Sequence, residues 1–224
     1  MTIEVIAVEG IGEVRSGDDV AAHIVPRASL QEGDVLVVAH KIVSKAEGRV
    51  VAGTDRRAAA AAESARVLRR SGEMVISETR HGFVCANAGV DASNVEGAHV
   101  ALLPLDPDLS ARRIRSRIAH LSGVDAAVVI SDTFGRAWRL GQTNVAIGIA
   151  GIDPFIDHRG TRDDFGVELT ATRICIADEL AGAAEMVMGK TGRVPAAIVR
   201  GAPWNAGRGA ATQIVRPPGE DMFR

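Results

Sequence analysis

Aromatic side chains are scarce in this chain of 224 residues, which has 5 Phe, 2 Trp and no Tyr. That leaves little material for the stacking platforms on which proteins hold single-stranded nucleic acid. Net charge is missing as well: 26 Lys and Arg against 28 Asp and Glu give −2. No global field favours a polyanion or an anionic membrane, so a basic site must be local. The 2 cysteines, Cys85 and Cys175, lie far apart without metal-type spacing, and read as reduced, buried thiols. No window approaches the run of about 20 apolar residues that spans a bilayer. The N-terminal MTIEVIAVEG has no basic stretch leading into a long apolar core, so it does not read as a secretory signal. A cytoplasmic protein without a nucleic-acid or membrane partner is expected.

The common phosphate signatures are also absent. No GxxxxGK[ST] occurs and no GxGxxG follows an expected strand, which removes the P-loop and dinucleotide-binding patterns. GKTG at 189 to 192 looks like the tail of a P-loop, but it closes an expected helix instead of opening one. The six histidines show no zinc spacing, and Ser131 has no nucleophile-elbow context, so hydrolase readings fade. There is no internal repeat, low-complexity linker or evident domain boundary.

What remains is 46% hydrophobic residues, enough for a sizeable core, patterned as alternating short strands and helices. Strands are expected at Ile3 to Val8, Val35 to Ala39, Val100 to Leu103, Ala126 to Ile130 and Ala196 to Val199. Asp18 to Ile24 suits a short helix. Thr54 and Asp55 offer N-caps for an alanine-rich helix running to about Arg70. The segment from Met74 to Gly97 reads as hairpin and loop. Ile114, Ile118 and Leu121 mark one face of a helix after Pro107. A second stripe, Ile174, Ala177, Ala181, Ala184 and Met188, predicts a helix that packs closely against its neighbour. The charged stretch IDPFIDHRGTRDDFG is long for a plain connector and suggests a functional loop.

Candidate chemistry gathers where apolar runs turn polar. SDTFGRAWRLGQ follows the strand Ala126 to Ile130, and a rigid strand opening into a loop is where metal or phosphate ligands are often placed. Asp91 in NAGVDASN and Asp132 in ISDTFGR are hard oxygen donors able to hold magnesium or manganese against phosphates, with Thr133 adding a hydroxyl. Taken singly, each Asp reads more simply as a turn or helix cap. Lys41 and Lys45 follow the second strand, and Lys45 suits phosphate neutralisation or, more simply, solvent. Arg136, Arg139, His158, Arg159, Arg162, Asp163 and Asp164 form either a solvated loop or a pocket for an acidic substrate.

Taken together and in order, GIGEVRSGDD, VVAHKIVSKAEGR, NAGVDASNV, LLPLDPD, ISDTFGRAWRLGQ, DHRGTRDDFGVEL, ADELAGAAEMVMGK and the ending VRG to EDMF resemble the coenzyme F420-0:L-glutamate (γ-glutamyl) ligases. The similarity spans essentially the whole chain. It implies an α+β fold of two interlocked subdomains, with mixed and antiparallel sheets and packed helices, over residues 1–224 as one ligase-like domain without the C-terminal reductase-like domain of some relatives. The implied activity is GTP-dependent addition of L-glutamate to coenzyme F420-0, extension of a γ-linked tail through an acyl phosphate, and release of GDP and phosphate by a homodimer.

By the same resemblance, Asp91, Asp132 and Thr133 are the expected ligands of Mg2+ or Mn2+, with K+ as a further candidate cofactor. Asp91, Asp132 and Lys45 are the expected catalytic residues. Ile11, Gly12, Glu13, Val14, His40, Lys45, Asn94 and the loop Met188, Gly189, Lys190, Thr191, Gly192, Arg193 correspond to nucleotide contacts. Three positions depart from the pattern: His40 replaces a frequent Ser, Gly12 a usual Pro, and Lys190 an acidic or amide ligand. A protonated lysine does not ligate magnesium, which leaves a second metal at this loop open. Two rivals keep the same site: an amide ligase with another acceptor or amino acid, and a nucleotide-binding protein without turnover.

Overall fold

The computed structural model describes residues 2–52 and 55–222. The chain begins with strand β1 (Glu4–Ala7), a loop to helix α1 (Val20–Ile24), strand β2 (Val35–Ala39) and, without an intervening residue, helix α2 (His40–Ala46). A smaller layer follows: β3 (Val50–Ala52), α3 (Arg56–Glu63), β4 (Ser64–Ser71), β5 (Met74–Thr79), β6 (Val84–Ala86) and β7 (His99–Ala101). The chain then returns through α4 (Pro107–Ser122), the long hairpin β8 (Ala127–Arg136) and β9 (Arg139–Ala150), the short pair β10 (Ile156–Asp157) and β11 (Arg173–Ile174), α5 (Ile176–Met188) and β12 (Ala196–Arg200). The fold is α+β, with several sheets and packed helices.

The principal sheet has the order β1-β12-β2-β8-β9. Only β2 and β8 are parallel; the other pairs run antiparallel. Val35, Leu36, Val37 and Val38 are all fully buried, so β2 is covered on both faces, which explains its unbroken aliphatic run. The small-residue stripe of α5 does what its spacing predicts: Ala177, Ala181 and Ala184 are fully buried in the main core. At the edge strand, a Cβ on Gly148 would lie 2.4 Å from the carbonyl oxygen of Pro107; α4 enters the sheet closely enough that only hydrogen fits there.

Asp106 caps α4 by accepting from Leu109 N at 2.8 Å, and Gly123 ends the helix in the left-handed region. Burying the aliphatic face of such a helix contributes about 25 cal/mol per Å2 removed from water. The inserted layer is thinner. It pairs β3 with β7 and β4-β5-β6 in two separate small sheets, and its own buried cluster is Ala60, Val90, Val100 and Leu102.

Three expectations change. The alanine-rich helix ends at Glu63 instead of near Arg70, and Ser64–Ser71 pairs antiparallel with β5. Ser64 N bonds back to Ala61 O and Ser64 Oγ donates to Ala60 O, after which sheet pairing outweighs helix propensity. Asp55 is the N-cap, accepting from Arg57 N and Ala58 N; Thr54 lies outside the described residues. Ile174 belongs to β11, paired with Ile156, so α5 starts after it. Finally, β8 does not end at Ile130 but continues to Arg136. Among the described residues, no helix is long and apolar enough to cross a membrane.

Candidate active site

The abrupt change from aliphatic to polar at SDT marks where β8 leaves the covered sheet. Its parallel pairing with β2 ends at Ala39↔Ser131, a register shift falls between Ile130 and Ser131, and Asp132–Arg136 pairs with β9 alone. Because β2 passes directly into α2, the next residue after Ala39 is brought beside the next residue after Ser131. His40, almost fully buried, places its Nε2 3.2 Å from Asp132 Oδ1. That approach lacks hydrogen-bond alignment, while His40 Nδ1 lies 3.3 Å from Ser44 Oγ one turn along α2. The site therefore sits beyond the C-terminal ends of the two parallel strands, the position at which open α/β sheets bind ligands.

The following residue of α2 reaches the other layer. Lys41 Nζ is 2.6 Å from Asp91 Oδ2 and donates to Ser93 Oγ at 2.6 Å. Asp91 is fixed by exchanging backbone hydrogen bonds with Ala101, and its carboxylate accepts from Ser93 N at 2.8 Å and Ser93 Oγ at 2.7 Å. Burial works to raise its pKa, but the hydrogen bonds from Lys41 and Ser93 and the ammonium charge prevail and hold it at about 2, so Asp91 is ionised at neutral pH. One turn further, Lys45 Nζ meets Glu13 Oε1 at 2.5 Å. That contact ties the loop Ile11 to Val14, in which Ile11 and Val14 are buried and Gly12 and Glu13 are exposed, to the same helix.

A third cation closes the arrangement. Lys190 Nζ donates to Thr133 Oγ1 and lies 3.4 Å from Glu185 Oε1. Thr133 Oγ1 in turn donates to Asn144 Oδ1 at 2.6 Å, and Asn144 N donates to Glu185 Oε2 at 3.2 Å. Thr133 N also donates to Asp132 Oδ1 at 2.7 Å. The loop after α5 is thereby joined to the hairpin through Lys190, with Gly189 at φ +55° and Arg193 at φ 55° making the turn. Met188 is buried in the main core, whereas Thr191, Gly192 and Arg193 are exposed. Asn94 adopts a left-handed φ of 56° just after Ser93.

Asp91, Asp132, Thr133, Lys45, His40, Lys190 and the loop at Glu13 thus converge on α2 and the strand ends. Two contributors are not marked by the sequence, Asn144 and Glu185. Asn144 is the cross-strand partner of Thr133, and Glu185 lies one turn before the helix-ending Gly189; neither relation is visible without the pairing. Three of the four arginines proposed for anionic substrates are engaged locally. Arg136 donates to Leu140 O, Arg159 pairs with Asp157, and Arg162 donates to Gly166 O. Cys85 is buried, and that burial, together with the nearby charge of Asp132, pushes its thiol up to about 12; it is an inert neighbour.

Among the described residues, no three His, Cys, Asp or Glu side chains gather as a metal cage. Two carboxylates and a hydroxyl are instead the sparse, hard oxygen set that suits an ion completing its shell with phosphate oxygens and water. A site of ammonium groups and paired acids beyond two strand ends is equipped to bind a polyanion and neutralise charge during group transfer.

Comparison with known proteins places the chain in an enzyme family of the ligase class. A family model described as F420-0:Gamma-glutamyl ligase matches residues 10–201, and the chain belongs to that family. It is 42% identical over 251 aligned positions to the coenzyme F420:L-glutamate ligase of Methanothermobacter thermautotrophicus, covering 100% of both chains. It is 42% identical to the ligase of that name from Methanopyrus kandleri, over 95% of this chain and 94% of that one. With the one from Archaeoglobus fulgidus it shares 40% identity over 100% of this chain and 97% of that one.

Proposed function

We propose that the protein ligates L-glutamate to coenzyme F420-0 at the expense of GTP and extends the product by further γ-linked glutamates. The observation that carries this reading is the pair of contacts made by consecutive residues of α2, His40 to Asp132 and Lys41 to Asp91, which set each of the two carboxylates that the family resemblance marks as metal ligands against the same helix. In this reading Asp91, Asp132 and Thr133 hold a Mg2+ or Mn2+ ion, and Asp91 shares its charge between that ion and Lys41. When bound, the ion supplies charge neutralisation on the phosphoryl oxygens.

The chemistry divides into two displacements. A carboxylate oxygen of the acceptor attacks the γ-phosphorus of GTP, the bond to the β-phosphate bridging oxygen breaks, and GDP leaves with that electron pair. The amine of glutamate then attacks the acyl carbon, phosphate leaves with the former carboxylate oxygen, and the new amide nitrogen loses a proton. Lys45 and Lys190 neutralise charge that builds on the transferred group, while the loops at 11–14 and 188–193 position the nucleotide. A homodimer is part of the same proposal. It is supported by the outer end of the β8–β9 hairpin, which projects beyond the sheet with Leu140 97% exposed, an apolar end suited to a second copy. Light scattering of Leu140→Asp tests it: a monomer is expected, and an unchanged mass removes the hairpin from the interface.

The test of the activity is mass spectrometry of F420-0 after incubation with purified protein, glutamate, and GTP or ATP, with and without metal. Mass increments of glutamyl units that require GTP and metal are the expected result. No increment despite nucleotide binding would transfer the proposal to another acceptor or amino acid.

A further inference from the structure

A second concavity lies beside the site, between the turn joining β5 to β6 and the start of α4. It has a volume of about 360 Å3 and is lined by His81, Phe83, Leu105, Arg112, Ile147 and Thr212 among others. One wall is aromatic: the rings of His81 and Phe83 stack with centroids 5.8 Å apart and planes inclined by 27°. In a chain this poor in aromatics, two rings placed together on a cavity wall stand out.

The wall is built in advance of any ligand. Thr79, nearly fully buried, accepts through its Oγ1 from both His81 N and Phe83 N, and Thr79 N donates to Phe83 O at 2.8 Å. His81 Nε2 lies 3.1 Å from Leu105 O, so that nitrogen carries the proton and the ring is fixed against the α4 side. Ile147 and Leu105 extend the apolar lining. The lining also carries Arg112, whose side chain is 53% exposed and lies 4.0 Å from Asp106, another lining residue; Asp106 Oδ1 is itself spent capping α4. Planar rings favour such offset stacking, and an arginine fork supplies paired donors to carbonyl or anionic oxygens.

The cavity also lies within reach of the chemistry. Phe83 meets Phe134 edge-on, with centroids 6.3 Å apart and planes at 70°. Phe134 is two residues beyond Asp132 on β8, which puts both on one strand face about 7 Å apart. Cys85, two residues beyond Phe83, is close enough for the Asp132 charge to act on it. The segment Phe83 to Cys85 thus runs beside Asp132 to Phe134, and the cavity is one ring away from the strand that carries Asp132.

We infer that this cavity binds the fused-ring part of the acceptor, a planar heteroaromatic carrying an anionic side chain, with the outer face of His81, backed by Phe83, stacking on the ring and Arg112 taking its oxygens. The inference rests on the ligase reading above and adds to it the place of the acceptor. A ring held there leaves its side chain free to run past Phe134 towards Asp132, where its carboxylate is activated.

Titration of F420-0 by its own fluorescence, against wild type and the variants Arg112→Ala, His81→Ala and Thr212→Trp, tests the assignment. The Kd for F420-0 is expected to rise about tenfold or more, with GTP affinity unchanged and with Arg112→Lys recovering part of the loss. Thr212 is exposed, so its replacement by Trp fills the cavity without burdening the core and decides the matter even where His81→Ala fails to fold. Wild-type glutamylation with variant Kd values within about twofold of wild type would overturn the cavity and leave the ligase reading standing. A wild type that neither binds nor glutamylates F420-0 would overturn both.

Discussion

Asp132 and Asp91 arrive at α2 from regions of very different construction. Asp132 stands on a strand whose preceding residues, Val128, Val129 and Ile130, are fully buried and pair with neighbours on both sides. Asp91 hangs from a single bridge to Ala101 in a layer whose separate buried cluster has Ala60, Val90, Val100 and Leu102. One carboxylate is placed by the sheet; the other is placed largely by Lys41 and Ser93. The difference teaches that α2 does two jobs: it continues the rigid strand β2, and it anchors the lighter layer through one ammonium. A site assembled this way has a fixed half and an adjustable half, and local stability in proteins commonly varies in this manner.

The comparison is broken most severely at the fixed half. Asp132→Asn is expected to lower kcat on the order of a thousandfold while the thermal midpoint stays near that of wild type; retained turnover would take Asp132 out of the reaction. At the adjustable half, Lys41→Met removes the anchor of Asp91, and a displacement of about 1 Å is enough for a loss on the order of a hundredfold. Steady-state kinetics should show that loss in kcat more than in KM for the nucleotide.

Gly148→Ala sharpens the contrast from the side of stability. Its methyl meets the Pro107 backbone, which has no flexible end to yield, so denaturant melts should report a loss of about 1–3 kcal/mol. Lys45→Ala is a smaller change directed at the nucleotide, with an expected weakening of GTP binding of about tenfold, measured by calorimetry. The smallest effect is on acid stability. The folded pKa of Asp91, about 2, lies below its ordinary value of 3.8. Its contribution is therefore complete above that ordinary value and is lost as pH falls towards 2. Thermal midpoints of wild type and Lys41→Met should converge over that interval and stay apart at neutral pH.

Much of this was legible in the chain. The aliphatic run Val35 to Ala39 and the alanine stripe of α5 declare buried elements because burial on two faces, or close packing on one, leaves no room for polar alternatives. The quoted stretches also carried the family resemblance. The stretch after Glu63 reads as helix because alanine and arginine favour helices locally, and Gly72, which turns the chain into the competing partner β5, reads equally as a helix stop. At SDT the polar residues looked like a loop, yet they form a two-stranded arm whose second strand lies past Trp138.

The sequence by itself determined the apolar pattern, the cap Asp55, and the residue types at the candidate site, since each is a local property of a few neighbouring residues. Tertiary structure alone decided that His40 faces Asp132, that Lys41 holds Asp91, and that Glu185 and Asn144 support Thr133 and Lys190. Those relations depend on strand register and helix placement, set by packing between segments far apart in the chain. Shifting β2 against β8 by one residue would separate His40 from Asp132 without altering a letter of the sequence around either.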